Sequence, residues 1–206
     1  MIAIVDYGVG NLLSVQKALQ TLGREAVITS DPGALAGADG VILPGVGAFG
    51  DAMVSLRRLG MLAALKAFAR GGKPTLGICL GMQLLFSMSE EHGSHVGMGL
   101  IPGRVRRFRG DFKIPHVGWN QLIVRRPHPL LRDAATGEYV YFVHSYHVEP
   151  LAADAVIATA DYHGEFPAVV AQGNLFGMQF HPEKSSRAGL RLLANFAALC
   201  QPEVPV

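Results

Sequence analysis

The chain has 206 residues, half of them hydrophobic and 17% charged, and its formal net charge is +2. This composition excludes an intrinsically disordered chain, and so small a net charge argues against a nucleic-acid-binding protein. Two cysteines and no apolar run of about 18 residues exclude a disulfide scaffold and a membrane-spanning helix, so we predict a cytoplasmic protein that binds no membrane.

Apolar runs of strand length alternate with helical patterns in the first half of the chain. The predicted elements are strands at 2–8, 26–30, 40–45 and 73–79, helices at 11–23 and 51–72, and a helix that begins near Gly81. Gly23 suits the end of the first helix, and the second is predicted to break near Gly60. Alternation of this kind favours an α/β fold with a mostly parallel central sheet flanked by helices.

The pattern changes from about Gly97, where short strands are separated by turns. This spacing predicts antiparallel hairpins added to the sheet in the C-terminal half. A helix over 185–200, capped by serine, closes the chain. Since neither a repeat nor a linker is visible, we expect one domain over residues 1–206.

Cys79 lies in the stretch GICLG (77–81), between a predicted strand and a predicted helix. Glycine on both sides of a nucleophile is typical of a sharp turn in which a Cβ at either flank would collide with its neighbours. Such a turn exposes the thiol at the C-terminal edge of the sheet, beside a helix N-terminus that favours thiolate. The alternative is a small core cysteine, and a base beside the thiol decides between them.

His181, in the stretch QFHPEKS, is the candidate base. Pro182 favours an extended conformation at His181, so the side chains of His181 and Glu183 are predicted to project from one face. Glu183 then orients the imidazole towards the thiol, although a plain surface turn is the alternative. His144 and His147 are predicted to lie on opposite faces of a strand, and we expect neither a metal site nor a cofactor.

Several of these segments together resemble a known enzyme family. GICLGMQLLF, PGVGAFGD and QFHPEKS are similar to the class I (triad-type) glutamine amidotransferases, and the resemblance extends over nearly the whole chain. PGVGAF, PHVGWN and YFVHSY resemble more narrowly the glutaminase subunits of imidazole glycerol phosphate synthases. The resemblance implies a flavodoxin-like fold and a heterodimer with a (β/α)₈-barrel cyclase subunit, which makes imidazole glycerol phosphate and aminoimidazole carboxamide ribotide in histidine biosynthesis.

The resemblance implies that glutamine is hydrolysed through a thioester on Cys79, with His181 and Glu183 completing a triad, and that the ammonia passes to the cyclase. The expected oxyanion-hole donors are the N–H of Leu80 and that of Val46 or Gly47, after rotation of a peptide in PGVG that the cyclase ligand promotes. The implied substrate-binding residues are Gln83, Gly45, Ser145 and Tyr146. The implied partner interface comprises Asn11, Val117, Trp119, Tyr141 and Lys184.

Other interpretations stay open from the sequence. PGVG (44–47) can be read as a phosphate loop or a plain turn, and the segment at 8–11 as a phosphate loop, although neither has the full glycine pattern of such loops. The basic stretch 104–113 is consistent with a solvated hairpin, with partner docking or, least, with nucleic-acid binding. The chain as a whole could be a non-catalytic scaffold for a synthase that uses free ammonia, or a cysteine hydrolase for another γ-glutamyl substrate.

Overall fold

The computed structural model describes residues 1–201. Its helices are α1 (Leu12–Thr21), α2 (Phe49–Arg58), α3 (Met61–Arg70), α4 (Leu80–Leu84) and α5 (Ser186–Leu199). Its strands in the first half are β1 (Ile2–Val5), β2 (Ala26–Thr29), β3 (Gly40–Gly45), β4 (Thr75–Cys79), β5 (Phe86–Ser89) and β6 (His95–Val96). Those in the second half are β7 (Ile101–Arg107), β8 (His116–Gln121), β9 (Ile123–Val124), β10 (Tyr139–His144), β11 (Tyr146–Pro150), β12 (Val156–Asp161), β13 (Glu165–Gln172) and β14 (Leu175–Met178).

Eight strands form the main sheet, in the order β2-β1-β3-β4-β14-β13-β12-β9. The first five pair in parallel and the last three antiparallel. Helices α1 and α5 contribute to one apolar core, while α2, α3 and α4 contribute to the other. Since helices cover both faces, β1, β3, β4 and β14 are buried along their whole length. The prediction of an α/β fold with a mostly parallel sheet is confirmed.

The structure confirms the two helix boundaries that were predicted at Gly23 and Gly60. Helix α1 ends in a Schellman motif, in which the N–H of Arg24 donates to the carbonyl of Leu19 while Gly23 adopts a φ of 69°. The helical pattern over 51–72 is interrupted at Gly60, whose φ is 71°, so that α2 and α3 are separate helices. Glycine tolerates this left-handed conformation, which other residues adopt at a cost.

The second half differs from the prediction in one respect. Strands β9, β12 and β13 do extend the main sheet, but β8 and β10 form a separate two-stranded ribbon. Strands β11, β7, β5 and β6 form a further four-stranded sheet. Alternation of apolar and polar residues shows that a strand has one buried face, but it carries no information about which strand is its neighbour. Among residues 1–201, none of the helices combines the length and the apolar character that a membrane span requires.

Candidate active site

Cys79 stands on a strained turn between β4 and α4. Its φ of 54° and ψ of −112° lie outside the conformations that residues with a side chain usually adopt. The flanking glycines make the turn possible, because a Cβ on Gly81 would overlap the carbonyl oxygen of Leu43 and one on Gly77 would overlap the backbone of Gly81. The glycine spacing therefore has the steric origin that was predicted for it.

His181 and Glu183 form a buried pair beside this turn. The Nδ1 atom of His181 lies 2.9 Å from Oε1 of Glu183, and the Glu183 side chain is 1% exposed. His181 is extended as predicted, with φ −94° and ψ 97°, whereas Glu183 lies in a single 3₁₀ turn, Pro182–Lys184. The turn, rather than a continued strand, brings the carboxylate back to the imidazole. Cys79 and His181 line the same cavity, so the imidazole lies on the side of the thiol with the carboxylate behind it.

The surroundings of His181 favour its protonated form. Burial by itself would lower the pKa of His181, but interactions with the neighbouring Cys79 and Glu183 side chains raise that pKa to about 10. Burial, and secondarily the charge on Cys79, raises the pKa of Tyr7, whose hydroxyl donates to the carbonyl of Pro44 at 2.9 Å. The site therefore favours an imidazolium beside Cys79, with Tyr7 kept neutral.

Hydrogen bonds fix both backbone polar groups of His181, one directly to strand β10 and the other through Ser185. The N–H of His181 donates to the carbonyl of Tyr141 at 3.0 Å. Ser185 Oγ donates to the carbonyl of His181 at 2.6 Å and accepts from the N–H of Tyr141 at 3.0 Å. The prediction that serine caps the last helix through its side chain is thus wrong, because this hydroxyl is used to fix the base.

A cavity of about 350 Å³ opens above the thiol. Its walls are formed by Asn11, Val46, Gly47, Cys79, Leu80, Gln83, Glu91, Pro115, Val143, His144, Ser145, Tyr146, His181 and Lys184. Ten of the fifteen predicted site and interface residues are in this set. Of the others, Glu183 lies behind His181, and Gly45 is paired with Cys79 in the register of β3 and β4. A Cβ on Gly45 would overlap the hydroxyl of Tyr7.

The remaining three predicted residues lie on the ribbon of β8 and β10. Val117 pairs with Val143, and Trp119 pairs with Tyr141. Val117 and Trp119 are 51% and 52% exposed, and the Trp119 and Tyr141 rings meet edge to face at 5.8 Å. Because Val143 also lines the cavity, this apolar face (Val117, Trp119, Tyr141 and Val143), which we call the ribbon face, adjoins the cavity.

Three features of the site were missed from the sequence. Gln179 is fully buried, and its Nε2 lies 3.8 Å from the sulfur of Cys79. Glu91 brings a carboxylate to the cavity wall and accepts from the N–H of Phe49, at the start of α2, at 2.6 Å. The His144 ring is hydrogen-bonded to His116 at 3.0 Å. Of these, only Gln179 had a local signal, a polar residue at the end of a buried apolar strand.

The prediction that His144 and His147 point to opposite faces is wrong. Both rings pack against Phe108, with centroids 5.2 Å and 4.9 Å from its ring. The reason is that Ser145 separates two strands of different sheets, so the alternation of side chains does not continue across it.

The buried His116–His144 pair predicts acid sensitivity. Burial lowers the pKa of His116 to about 4 and that of His144 to about 3. Below about pH 6.5 the unfolded chain therefore binds more protons than the folded chain, and the unfolding free energy falls as the pH drops. The test measures the unfolding free energy by urea denaturation at pH 7 and at pH 5. Between these two pH values, we expect the fall in unfolding free energy to be about 2 kcal/mol smaller for His116→Phe than for the unaltered chain.

The matched control is His163→Asn, at an exposed histidine with a φ of 56° that asparagine tolerates. This variant is expected to keep the pH dependence of the unaltered chain. An identical loss of stability in His116→Phe and the unaltered chain would contradict the assignment of a neutral buried pair.

Comparison with known proteins agrees with this geometry. The family model of class-I glutamine amidotransferases matches residues 3–200. Two proteins named imidazole glycerol phosphate synthase subunit HisH are close in sequence. The one from Moorella thermoacetica is 54% identical over 96% of this chain and 94% of its own length, and the one from Desulfitobacterium hafniense is 53% identical over 95% and 93%.

Solved structures support the fold. A crystal structure described as a glutamine amidotransferase matches with a TM-score of 0.77 at 21% identity, over 97% of this chain and 99% of its own. The structure of PurLQS from Thermotoga maritima matches with a TM-score of 0.75 at 22% identity, over 95% and 96%. The chain belongs to the class I glutamine amidotransferases, and within them to the family of imidazole glycerol phosphate synthase subunits HisH.

Proposed function

We propose that this chain is the glutaminase subunit of an imidazole glycerol phosphate synthase, which hydrolyses glutamine and supplies ammonia for imidazole glycerol phosphate synthesis in histidine biosynthesis. The observation that carries the proposal is Cys79 on its strained turn beside the hydrogen-bonded pair His181 and Glu183, with Cys79 and His181 lining one cavity of about 350 Å³. The HisH relatives, which match over nearly the full length of the chain, support the same role.

The proposed reaction has two stages. In the first, the Cys79 thiolate attacks the side-chain amide carbon of glutamine, and protonated His181 gives its proton to the leaving nitrogen as the carbon–nitrogen bond breaks. Ammonia leaves and a glutamyl thioester remains on Cys79. In the second stage, neutral His181 takes a proton from water, whose oxygen attacks the thioester, and glutamate leaves. Glu183 keeps the ring oriented and stabilises its charged form.

The negative oxygen that forms in both stages requires hydrogen-bond donors. We assign this role to the N–H of Leu80 and to that of Val46 or Gly47, all of which belong to residues of the cavity wall. Gly47 has a φ of 94°, and a Cβ there would meet open space, so the surroundings leave room for the peptide to turn. Rotation of that peptide on partner binding is part of the proposal.

The rest of the cavity suits the amino-acid end of glutamine. Glu91 brings a negative charge that complements the α-ammonium group. Both hydrogen bonds of the Gln83 amide nitrogen go to protein acceptors, the carbonyl of Tyr146 at 3.0 Å and Gln179 at 3.1 Å, which leaves its oxygen for the substrate. The backbone around Gly45, Ser145 and Tyr146 completes the proposed substrate site.

We propose that the partner, a (β/α)₈-barrel cyclase, docks on the ribbon face. Exposed Val117 and Trp119 offer apolar area of the type that protein interfaces use, right beside the cavity from which ammonia must leave. Asn11 and Lys184, on the cavity wall, add polar groups. Direct docking is favoured because ammonia released into neutral water becomes protonated and is no longer a nucleophile. The cytoplasmic location stays a prediction.

Glutaminase assays test the proposal. We expect hydrolysis of glutamine to be slow for the isolated chain, faster with the cyclase, and fastest when the cyclase also holds its phosphoribosyl-type substrate. Equal rates in all three conditions would contradict partner-dependent activation. Hydrolysis of other γ-glutamyl amides at a rate that the cyclase does not change would favour the alternative, a cysteine hydrolase.

The docking site has its own test. Trp119→Ala is expected to weaken the complex by at least about tenfold in titration calorimetry, because a large exposed aromatic at the centre of an interface contributes strongly to affinity. Leu151→Ala is the matched control, since Leu151 is 81% exposed but lies outside the ribbon face. Equal affinities for the two variants would place the partner elsewhere.

A further inference from the structure

We infer that Gln179 is a further functional residue of this site, whose side-chain amide donates a hydrogen bond to the sulfur of Cys79 and favours its thiolate form. The inference deepens the proposed function and rests on it, because it takes Cys79 as the nucleophile. Gln179 follows β14 and is completely buried, and its Nε2 lies 3.8 Å from the Cys79 sulfur. A glutamine side chain fully removed from water has to find partners for its amide group.

The orientation of the Gln179 amide follows from a single backbone carbonyl. The oxygen of Tyr146 can only accept hydrogen bonds, so the Gln83 atom that lies 3.0 Å from it must be the NH₂ group. The same nitrogen lies 3.1 Å from the Gln179 side chain, which must therefore turn its oxygen towards Gln83. The NH₂ group of Gln179 is left on the other side, facing Cys79.

The same carbonyl orients a second series of hydrogen bonds, which runs to the surface. His144 Nδ1 lies 2.8 Å from the oxygen of Tyr146 and therefore carries the hydrogen. Its Nε2 must then accept from Nδ1 of His116, at 3.0 Å. His116 Nε2 in turn accepts from the amide of Asn120, which also donates to the carbonyl of Asp161 at 2.7 Å.

The neutral state of both rings agrees with this assignment, because burial lowers the pKa values of His116 and His144 to about 4 and about 3. Every group from Asp161 to Cys79 thus has one assigned role as donor or acceptor, and the two series meet at the carbonyl of Tyr146, which accepts from both His144 and Gln83. The donor at the end of the series faces the sulfur.

A donor in this position acts differently on the two forms of Cys79. A thiol has its own hydrogen, and the carbonyl of Val143, 3.8 Å from the sulfur, can accept it. A thiolate has no hydrogen and needs donors, one of which Gln179 supplies. Because hydrogen bonds to a charged acceptor are about twice as strong as neutral ones, the Gln179 bond favours the thiolate. The titratable or charged groups around the sulfur and the cavity are Tyr7, Glu91, His144, His181, Glu183 and Lys184.

Alkylation of Cys79 in the isolated chain tests the inference without glutamine or a partner. The rate of modification by iodoacetamide is measured against pH, with peptide mapping to separate Cys79 from Cys200, whose pKa burial raises to about 12. Gln179→Met keeps the length of the side chain but removes the donor. We expect the pH at which the alkylation rate reaches half its maximum to rise by about one unit in this variant. On the acid side of that pH, the thiolate fraction should be about tenfold lower than in the unaltered chain.

A merely structural role of Gln179 would not move this profile. Asn174→Ala is the matched control, because Asn174 precedes the other end of β14 and anchors the chain through two hydrogen bonds of 2.7 Å. It is expected to lower stability but leave the pH profile unchanged. Gln83→Met, which leaves the Gln179 amide without its partner, should shift the profile in the same direction by a smaller amount.

A measurement on the unaltered chain covers the case in which these variants fail to fold. The side-chain amide proton signal of Gln179 in a nitrogen-15 spectrum should shift with the same half-maximal pH as alkylation, and this shift should disappear in Cys79→Ala. Two results would overturn the inference. One is an unchanged alkylation profile in folded Gln179→Met, and the other is a pH-dependent shift of the Gln179 amide signal that persists in Cys79→Ala. Failure of the proposed function would show instead as absence of glutamine hydrolysis with the cyclase, which leaves the alkylation result unaffected.

Discussion

Cys79→Ala is expected to abolish glutamine-dependent synthesis by the complex while leaving synthesis from free ammonia intact. Without the sulfur no thioester forms, and removal of a nucleophile typically costs at least about 10⁴-fold in kcat. The free ammonia route persists because it uses only the cyclase. The measurement is the steady-state rate of imidazole glycerol phosphate formation with glutamine and, separately, with an ammonium salt at high pH.

The chain offers a matched control in its other cysteine. Cys200 is also free and buried, but it follows α5 and does not line the cavity above Cys79. Cys200→Ala should keep glutamine-dependent activity within about twofold, as distant substitutions usually do. A Cys79→Ala complex that still hydrolysed glutamine would rule out the proposed role of Cys79, and loss of both routes would show that the cyclase itself is inactive in the assay.

Gly81→Ala is expected to destabilise the protein severely. A methyl group at this position would overlap the carbonyl oxygen of Leu43 in β3, which is part of the buried sheet and cannot move aside cheaply. Steric conflict with buried backbone belongs to the exceptional class of substitutions that cost more than about 4 kcal/mol. Urea denaturation, or the soluble yield if the variant does not fold, measures the effect.

Gly37→Ala is the control for this prediction. Gly37 has no atom within 4 Å of an added Cβ, and it does not need a positive φ. Its replacement should change the unfolding free energy by less than about 0.5 kcal/mol. If Gly81→Ala also stayed within about 1 kcal/mol of the unaltered chain, the close contact between the elbow and β3 would not exist in solution.

The elements of the first half could be predicted because their signals are local. Strand β3 lies at the predicted residues, and the helical pattern over 51–72 breaks at Gly60. The same is true of the elbow, since glycines at positions 77 and 81 are required by contacts within a few residues and with one neighbouring strand. His181 and Glu183 are two residues apart, so their pairing also depended on local geometry.

Features that join distant parts of the chain could not be predicted in this way. Ser185 fits the pattern of a helix cap, yet its hydroxyl bonds to Tyr141, which is 44 residues away in the chain. Gln179 reaches Cys79 across 100 residues. In each case a polar group has several possible partners, and the one it finds depends on which segments the fold brings together.

Periodicity, glycine spacing and proline act over short distances, and they were enough to predict the α/β class, the strained cysteine turn and the residue types of the triad. Long-range packing, in contrast, sets which strands of the second half join the main sheet and which form the ribbon. Packing also brings His116 and His144 from one side, and Gln179 and Gln83 from the other, into two series of hydrogen bonds that meet at the carbonyl of Tyr146. Strand neighbours and buried hydrogen-bond partners are chosen by packing of the whole chain, and a pattern of single residues carries no record of that choice.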